Sequence, residues 1–205
     1  PDRSEPLLGN SHGREYISTA TIALDDNGKF LALDIDIVAD MGSYLSCYAP
    51  FIPWLGVGMA TGSYDIPVAY IRLRAAYTNT VPAGAFRGYG LPQTLFAVEA
   101  AIDNLAAQLG ISPYDFRRNN VIKPGDAMLS PAGTHHDDVL IGSYGLDQCL
   151  DLVERAMQVE KKHDLDDDWL IGDGIALTMI DTVPPQGHIA EVVIAKRDDG
   201  DYDLT

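Results

Sequence analysis

The chain has 205 residues, 46% hydrophobic and 21% charged, which is enough apolar material for a sizeable core and excludes a disordered tail or a disulfide-stapled mini-protein. Thirty acidic residues against fourteen basic ones leave a formal charge of −16, which repels phosphate backbones and anionic lipid and argues against nucleic-acid and membrane partners. No apolar run approaches the roughly 18 residues of a membrane span and no basic-then-apolar leader opens the sequence, so a soluble, cytoplasmic setting is expected.

The residues from Arg14 to Leu24 favour strand. Asp26-Asn27-Gly28 supplies a positive-φ turn, and Phe30 to Val38 resumes with Leu31, Leu33, Ile35 and Ile37 on one face, a pattern that predicts a β-hairpin. Asp34 and Asp36 fall on the other face, expected to be solvated or to meet a charged partner. Cys47 and Cys149, with no C-x-x-C pair, exclude a thiolate metal cage and are expected as reduced, buried thiols. Gly42 to Pro67, broken by Pro50, Pro53 and Pro67, reads mostly as loop, with any helix short. Val68 to Tyr77 alternates as a third strand, with Arg72 and Arg74 opposed to Ile71 and Leu73.

Leu91, Leu95, Val98, Ile102, Leu105 and Leu109 recur at helical spacing, with Glu99, Asp103 and Gln108 off that stripe. Gly110 stops the helix, and Ser112-Pro113-Tyr114-Asp115 restarts a short one with a cap, a first-turn proline and a capping-box acid, ending near Asn119-Asn120. Lys123 to Gly142 is loop-like, and Ser143 to about His163 predicts an amphipathic helix with Leu146, Leu150, Val153 and Met157 inward. Asp164 to Asp173 carries five acids and no base, a solvated connector. Ile175 to Thr182 and Ile189 to Ala195 read as strands, and a further strand starts at Tyr202 after the turn at Asp198-Asp199-Gly200-Asp201. The fold class is therefore α+β, with mixed β-sheets and packed helices. Pro1 at the start and the strand begun at Tyr202 suggest an excised part of a longer chain.

Candidate chemistry narrows by elimination. Calcium loops centred on Gly28 or Gly200 would begin at Ala23 or Ala195, which cannot supply the leading carboxylate. The adjacent pair His135-His136 lacks the spacing of two ligands on one face, so no metal ligands are assigned. Gly56-Val57-Gly58-Met59-Ala60-Thr61-Gly62 misses the dinucleotide fingerprint by one residue. What remains is Gly84-Ala85-Phe86-Arg87-Gly88-Tyr89-Gly90-Leu91-Pro92-Gln93, a glycine-punctuated loop leading into the long helix. Its glycines let backbone amides approach a ligand, its amides and helix start favour anionic oxygens, and Arg87 adds a cationic fork. The alternative from residues alone is a tight turn with Arg87 salt-bridged and Phe86 and Tyr89 in the core.

That decapeptide resembles the cofactor loop of the molybdenum hydroxylases, the family of xanthine dehydrogenase, aldehyde oxidase and N-heterocycle dehydrogenases. The resemblance extends through Asp2-Arg3-Ser4-Glu5, Asp40-Met41-Gly42-Ser43-Tyr44, Gly62-Ser63-Tyr64-Asp65-Ile66-Pro67, Leu109-Gly110-Ile111-Ser112-Pro113 and Arg118-Asn119-Asn120. It implies an internal part of the large molybdopterin-binding subunit, with residues 1–163 as a first molybdopterin-binding region and 164–205 as connector and start of a further β region. It also implies that Gly84, Ala85, Phe86, Arg87 and Gly88 bind a molybdopterin cofactor, expected as a dinucleotide, and that Tyr89 and, as a weaker carry-over, Thr182 line the substrate slot. FAD and 2Fe-2S clusters are expected on partner subunits or domains.

The implied reaction is hydroxylation with oxygen from water, electrons leaving through iron–sulfur centres. The general base is expected outside this segment, which leaves no catalytic acid or base within it. Purine-oxidising members keep an arginine where Leu55 falls, and carbon-monoxide-oxidising members a cysteine where Gly88 falls, so the resemblance leaves an N-heteroaromatic or aldehyde substrate. A structural domain whose loop only packs against a partner subunit is the alternative, and an acidic cation-binding module a third.

Overall fold

The computed structural model of the chain describes residues 2–5, 10–126, 141, 143–159, 169–180 and 192–204. The predicted hairpin forms from β1 (Tyr16–Leu24) and β2 (Phe30–Asp40), antiparallel, with Ala20 opposite Ile35. Asp25 closes its turn by accepting from the amides of Asn27 and Lys29, both at 2.8 Å, and Gly28 takes φ +78°. Leu31 departs from the sequence expectation. Ala23 pairs with Ala32 but Leu24 with Phe30, so the ladder bulges at Leu31. The bulge turns Leu31 outward and Phe30 into the core ahead of Leu33, Ile35 and Ile37.

β3 (Val68–Ala76) lies parallel to β2, giving a mixed sheet in the order β1-β2-β3. Parallel neighbours need a crossover, and its helix is α1 (Phe51–Gly58), where the sequence reading expects mostly loop. Pro50 caps α1 and Pro53 stands in its first turn, where a missing N–H leaves no bond unmade. On the outer face Arg72 pairs with Asp34 and Asp36 at 3.2 and 3.1 Å, and Arg74 with Asp36 at 2.7 Å, so the two acids meet charged partners across the strands where a merely solvated face was the first expectation.

α2 (Leu91–Leu109) has the predicted bounds and buries Leu91, Leu95, Val98 and Ile102, while Leu109 runs past the core into solvent. Gly110, at φ +66°, donates to the carbonyls of Ala106 and Ala107. Ser112 caps α3 (Pro113–Asn120) by accepting from the amide of Tyr114 at 3.3 Å, but the expected capping acid Asp115 pairs with Arg118 at 2.9 Å. Two buried polar groups lock these layers together. Asn120 accepts from the Phe30 amide at 2.8 Å and donates to the carbonyls of Gly28 and Phe116, both at 2.9 Å, plugging the hairpin turn into α3. Arg117, fully buried, meets Glu99 at 2.7 Å, Asp103 at 2.8 Å and the carbonyl of Ile175 at 2.7 Å. Glu99 is thus a core residue, and it accepts from the Tyr64 hydroxyl at 2.7 Å. Burial, and then the Glu99 charge, push the Tyr64 phenol well above its ordinary range.

α4 (Leu146–Val159) is tied on by Arg118, which reaches Asp151 and Glu154, and by buried Leu150. Val153, expected inward, is exposed, because α4 lies on the rim of the core. Residues 175–180 carry the expected alternation, with Leu177 buried, but form no ladder among the described residues. β4 (Ile194–Lys196) and β5 (Tyr202–Leu204) pair antiparallel across the Asp198–Asp201 turn. Both cysteines are free but exposed rather than buried: Cys47 sits in the turns before α1 and Cys149 on the outer side of α4. Among the described residues no helix is long and apolar enough to cross a membrane.

Candidate functional site

The loop at residues 84–90 lies beyond the carboxyl ends of the parallel pair β2 and β3, reached by the segment 77–83. Asp40, the last residue of β2, fixes its approach. One carboxylate oxygen accepts from the Gly42 amide at 2.7 Å and the Thr78 hydroxyl at 2.6 Å, the other from the Thr80 hydroxyl at 3.2 Å. These bonds, Thr78 first, hold the Asp40 carboxyl below its ordinary range. The Ala83 amide then donates to the carbonyl of Met41 at 3.2 Å, and Ala83 forms an isolated parallel bridge with His12.

Within the loop, Ala85, Phe86 and Arg87 are exposed and Gly84, Gly88 and Tyr89 half-buried. The backbone turns sharply: Gly88, Tyr89 and Gly90 take φ +98°, +21° and +84° in succession, and Tyr89 is one of two non-glycine residues with positive φ among those described. The amides of Tyr89 and Leu91 donate to the carbonyls of Phe86 and Gly88. The amides of Ala85, Phe86, Arg87 and Gly88 find no acceptor among the described residues, and the Arg87 guanidinium has no carboxylate partner there. Of the alternative reading, Phe86 is exposed rather than in the core, Tyr89 is half-buried, and Arg87 has no salt bridge among the described residues.

The glycines serve a different purpose from the one the sequence suggests. A Cβ on Gly84 would stand 2.1 Å from the Ser11 hydroxyl, and one on Gly90 2.2 Å from the carbonyl oxygen of Ile52. Their bare faces are filled by the protein's own atoms and seat the loop against its supports, while positive φ accounts for Gly88. Ser11, Asp40, Thr78, Thr80 and the Ile52 carbonyl thus shape the loop and were not singled out for it from sequence. Asp40-x-Gly42, an acid two residues before a positive-φ glycine, was the available signal.

Thr182 and the pair His135-His136 lie outside the described residues. Among the described residues no group of three or more His, Cys, Asp or Glu could hold a metal ion. An apolar cleft of about 520 Å³ runs along α2, between Pro92, Phe96 and Asp103 on one side and residues 174–178 on the other.

A family model for the molybdopterin cofactor-binding domain matches residues 1–121. The chain belongs to this family. It is 33% identical over 168 residues to the carbon monoxide dehydrogenase large chain of Afipia carboxidovorans, a match covering 80% of this chain and 20% of that one. Among solved structures, quinoline 2-oxidoreductase from Pseudomonas putida 86 matches with a TM-score of 0.67 at 33% identity, over 78% of this chain and 20% of that one. Aldehyde oxidoreductase from Desulfovibrio gigas matches with a TM-score of 0.63 at 30% identity, over 72% and 15%. The chain thus spans about a fifth of the length of these relatives.

Proposed function

We propose that this chain supplies the Arg87 side of the molybdopterin site in an enzyme that hydroxylates an N-heteroaromatic compound or an aldehyde with oxygen from water. In this reading the parent is cytoplasmic and passes electrons to iron–sulfur and FAD subunits or domains. Residues 1–163 are the first cofactor-binding region, and 164–205 lead into the next. The observation that carries the proposal is the set of four successive amides, from Ala85 to Gly88, that find no acceptor among the described residues, around an arginine with no carboxylate partner among them. An anionic, oxygen-rich group fits such a cradle.

The pterin cofactor, expected as a dinucleotide, supplies the two-electron redox chemistry. The amides from Ala85 to Gly88 and the Arg87 guanidinium hold its anionic oxygens. Tyr89, stiffened by its strained backbone, borders the substrate slot, and Thr182 adds a hydroxyl on that side. Leu55 and Gly88 stand where purine- and carbon-monoxide-oxidising members carry arginine and cysteine, which favours a substrate of the quinoline or aldehyde type. The loop holds no carboxylate or imidazole, and in this reading the base comes from elsewhere in the parent chain. In the intact enzyme Arg87→Ala is expected to lower molybdenum content or turnover at least tenfold, the loss of one charge-assisted contact. Metal analysis and steady-state kinetics equal to wild type would refute the assignment.

A further inference from the structure

Behind the loop, five buried polar atoms lie on two elements packed against each other, β1 with the residues entering it and the first turn of α2. Arg14 Nη1, Tyr16 Oη and Ser18 Oγ come from alternate residues of the chain entering β1 and share one face by the two-residue period. Gln93 Oε1 and Thr94 Oγ1 come from the first turn of α2, which packs across β1. None has a hydrogen-bond partner among the described residues, although Thr94 is 0% exposed. Two glycines locate the hydroxyls. Tyr16 Oη stands 3.1 Å from where a Cβ on Gly90 would be; Thr94 Oγ1 stands 3.1 Å, and the Gly90 carbonyl oxygen 2.9 Å, from where one on Gly56 would be. Both hydroxyls therefore border Gly90, the hinge between loop and helix.

Buried polar groups in native proteins are almost always satisfied, and where no protein group does so an ordered water with two to four polar partners does. The seam offers donors and acceptors together. The guanidinium only donates, Gln93 Oε1 only accepts and the three hydroxyls do both, a mixture that suits water and not an anion, which cannot donate to Gln93 Oε1. We propose that the seam is a hydration site, in which one or more ordered waters bridge Tyr16 Oη to Thr94 Oγ1 and Gln93 Oε1 and so make Tyr16 a positioning residue for Gly90 and the loop. The inference does not depend on what the loop binds. Burial pushes the Tyr16 phenol up to about 12, which keeps its proton in place for donation throughout the physiological range.

A crystal structure of the intact parent protein, at a resolution that resolves ordered water, tests this directly. The expected result is a water within hydrogen-bond distance of Tyr16 Oη and of Thr94 Oγ1 or Gln93 Oε1. A dry seam, or a side chain from the rest of the parent chain in that place, would overturn the proposal. Tyr16→Phe, Thr94→Val and the double variant give a second readout, since either substitution releases the same water. The thermal midpoint of the double variant should fall by less than the sum of the single shifts, and amide exchange across residues 84–93 should quicken in Tyr16→Phe while residues 106–112 keep their rate. Additive shifts with unchanged exchange would count against a shared water.

Discussion

Gly90 and Gly110 both hold positive φ, +84° and +66°, but differ in what surrounds the missing side chain. Alanine at either position carries the cost of the left-handed conformation, roughly 1–2 kcal/mol. At Gly110 nothing lies within 4 Å of the new methyl, so that cost is the whole effect. At Gly90 the methyl would stand 2.2 Å from the Ile52 carbonyl oxygen, where ordinary contact begins at 3.4 Å, so loop and α1 must part by about 1.2 Å. Misplacement of a binding group by about 1 Å costs on the order of 10²-fold in rate. In the intact enzyme Gly110→Ala should lower the thermal midpoint slightly and leave molybdenum content and turnover at wild-type levels. Gly90→Ala should lose turnover by about two orders of magnitude. Equal behaviour of the two variants would refute the claim that the Gly90 contact sets the loop.

Three further outcomes follow from the buried and clamped polar groups. Asn120→Ala strands the Phe30 amide and the Gly28 carbonyl in the core and should cost about 2–4 kcal/mol, read by denaturant titration of the parent protein. Glu99→Gln leaves the buried Arg117 with only the partly exposed Asp103 as a counter-charge; a loss on the order of 3 kcal/mol is expected, and adding Arg117→Met should restore part of it. Asp40, whose carboxyl is held below the ordinary 3.8 by Thr78 and Gly42, stabilises the clamp fully above that value, and its contribution disappears as pH falls through the lowered one. Proteolysis across residues 76–84 should therefore rise at the acid end in wild type, and Asp40→Asn should remove that step.

The strands, the helix at Leu91–Leu109 and its glycine stop were legible because each rests on local periodicity or a single turn residue. Leu31 was misplaced because a bulge changes register without changing composition. Glu99 sat off the hydrophobic stripe by residue type, yet its partner Arg117 lies 18 residues away on another helix, and no local pattern announces a buried ion pair across that distance. The loop was legible as a glycine-punctuated turn ahead of the long helix, but the sequence credits its glycines to ligand approach. Their demands come from Ser11 and the Ile52 carbonyl, groups brought in by folding from the start of the chain and from the crossover helix.

The loop divides its labour between backbone and side chains. The path of its backbone is dictated by Asp40, Ser11 and the α1 carbonyl, all packed on the inner side, whereas Ala85, Phe86 and Arg87 project outward. Substitutions at residues 85 and 86 can therefore change the exposed surface of the loop without altering the peptide scaffold beneath it. In the proposed site, changes of specificity and maintenance of the anchoring geometry would fall to separate sets of residues, free to vary independently.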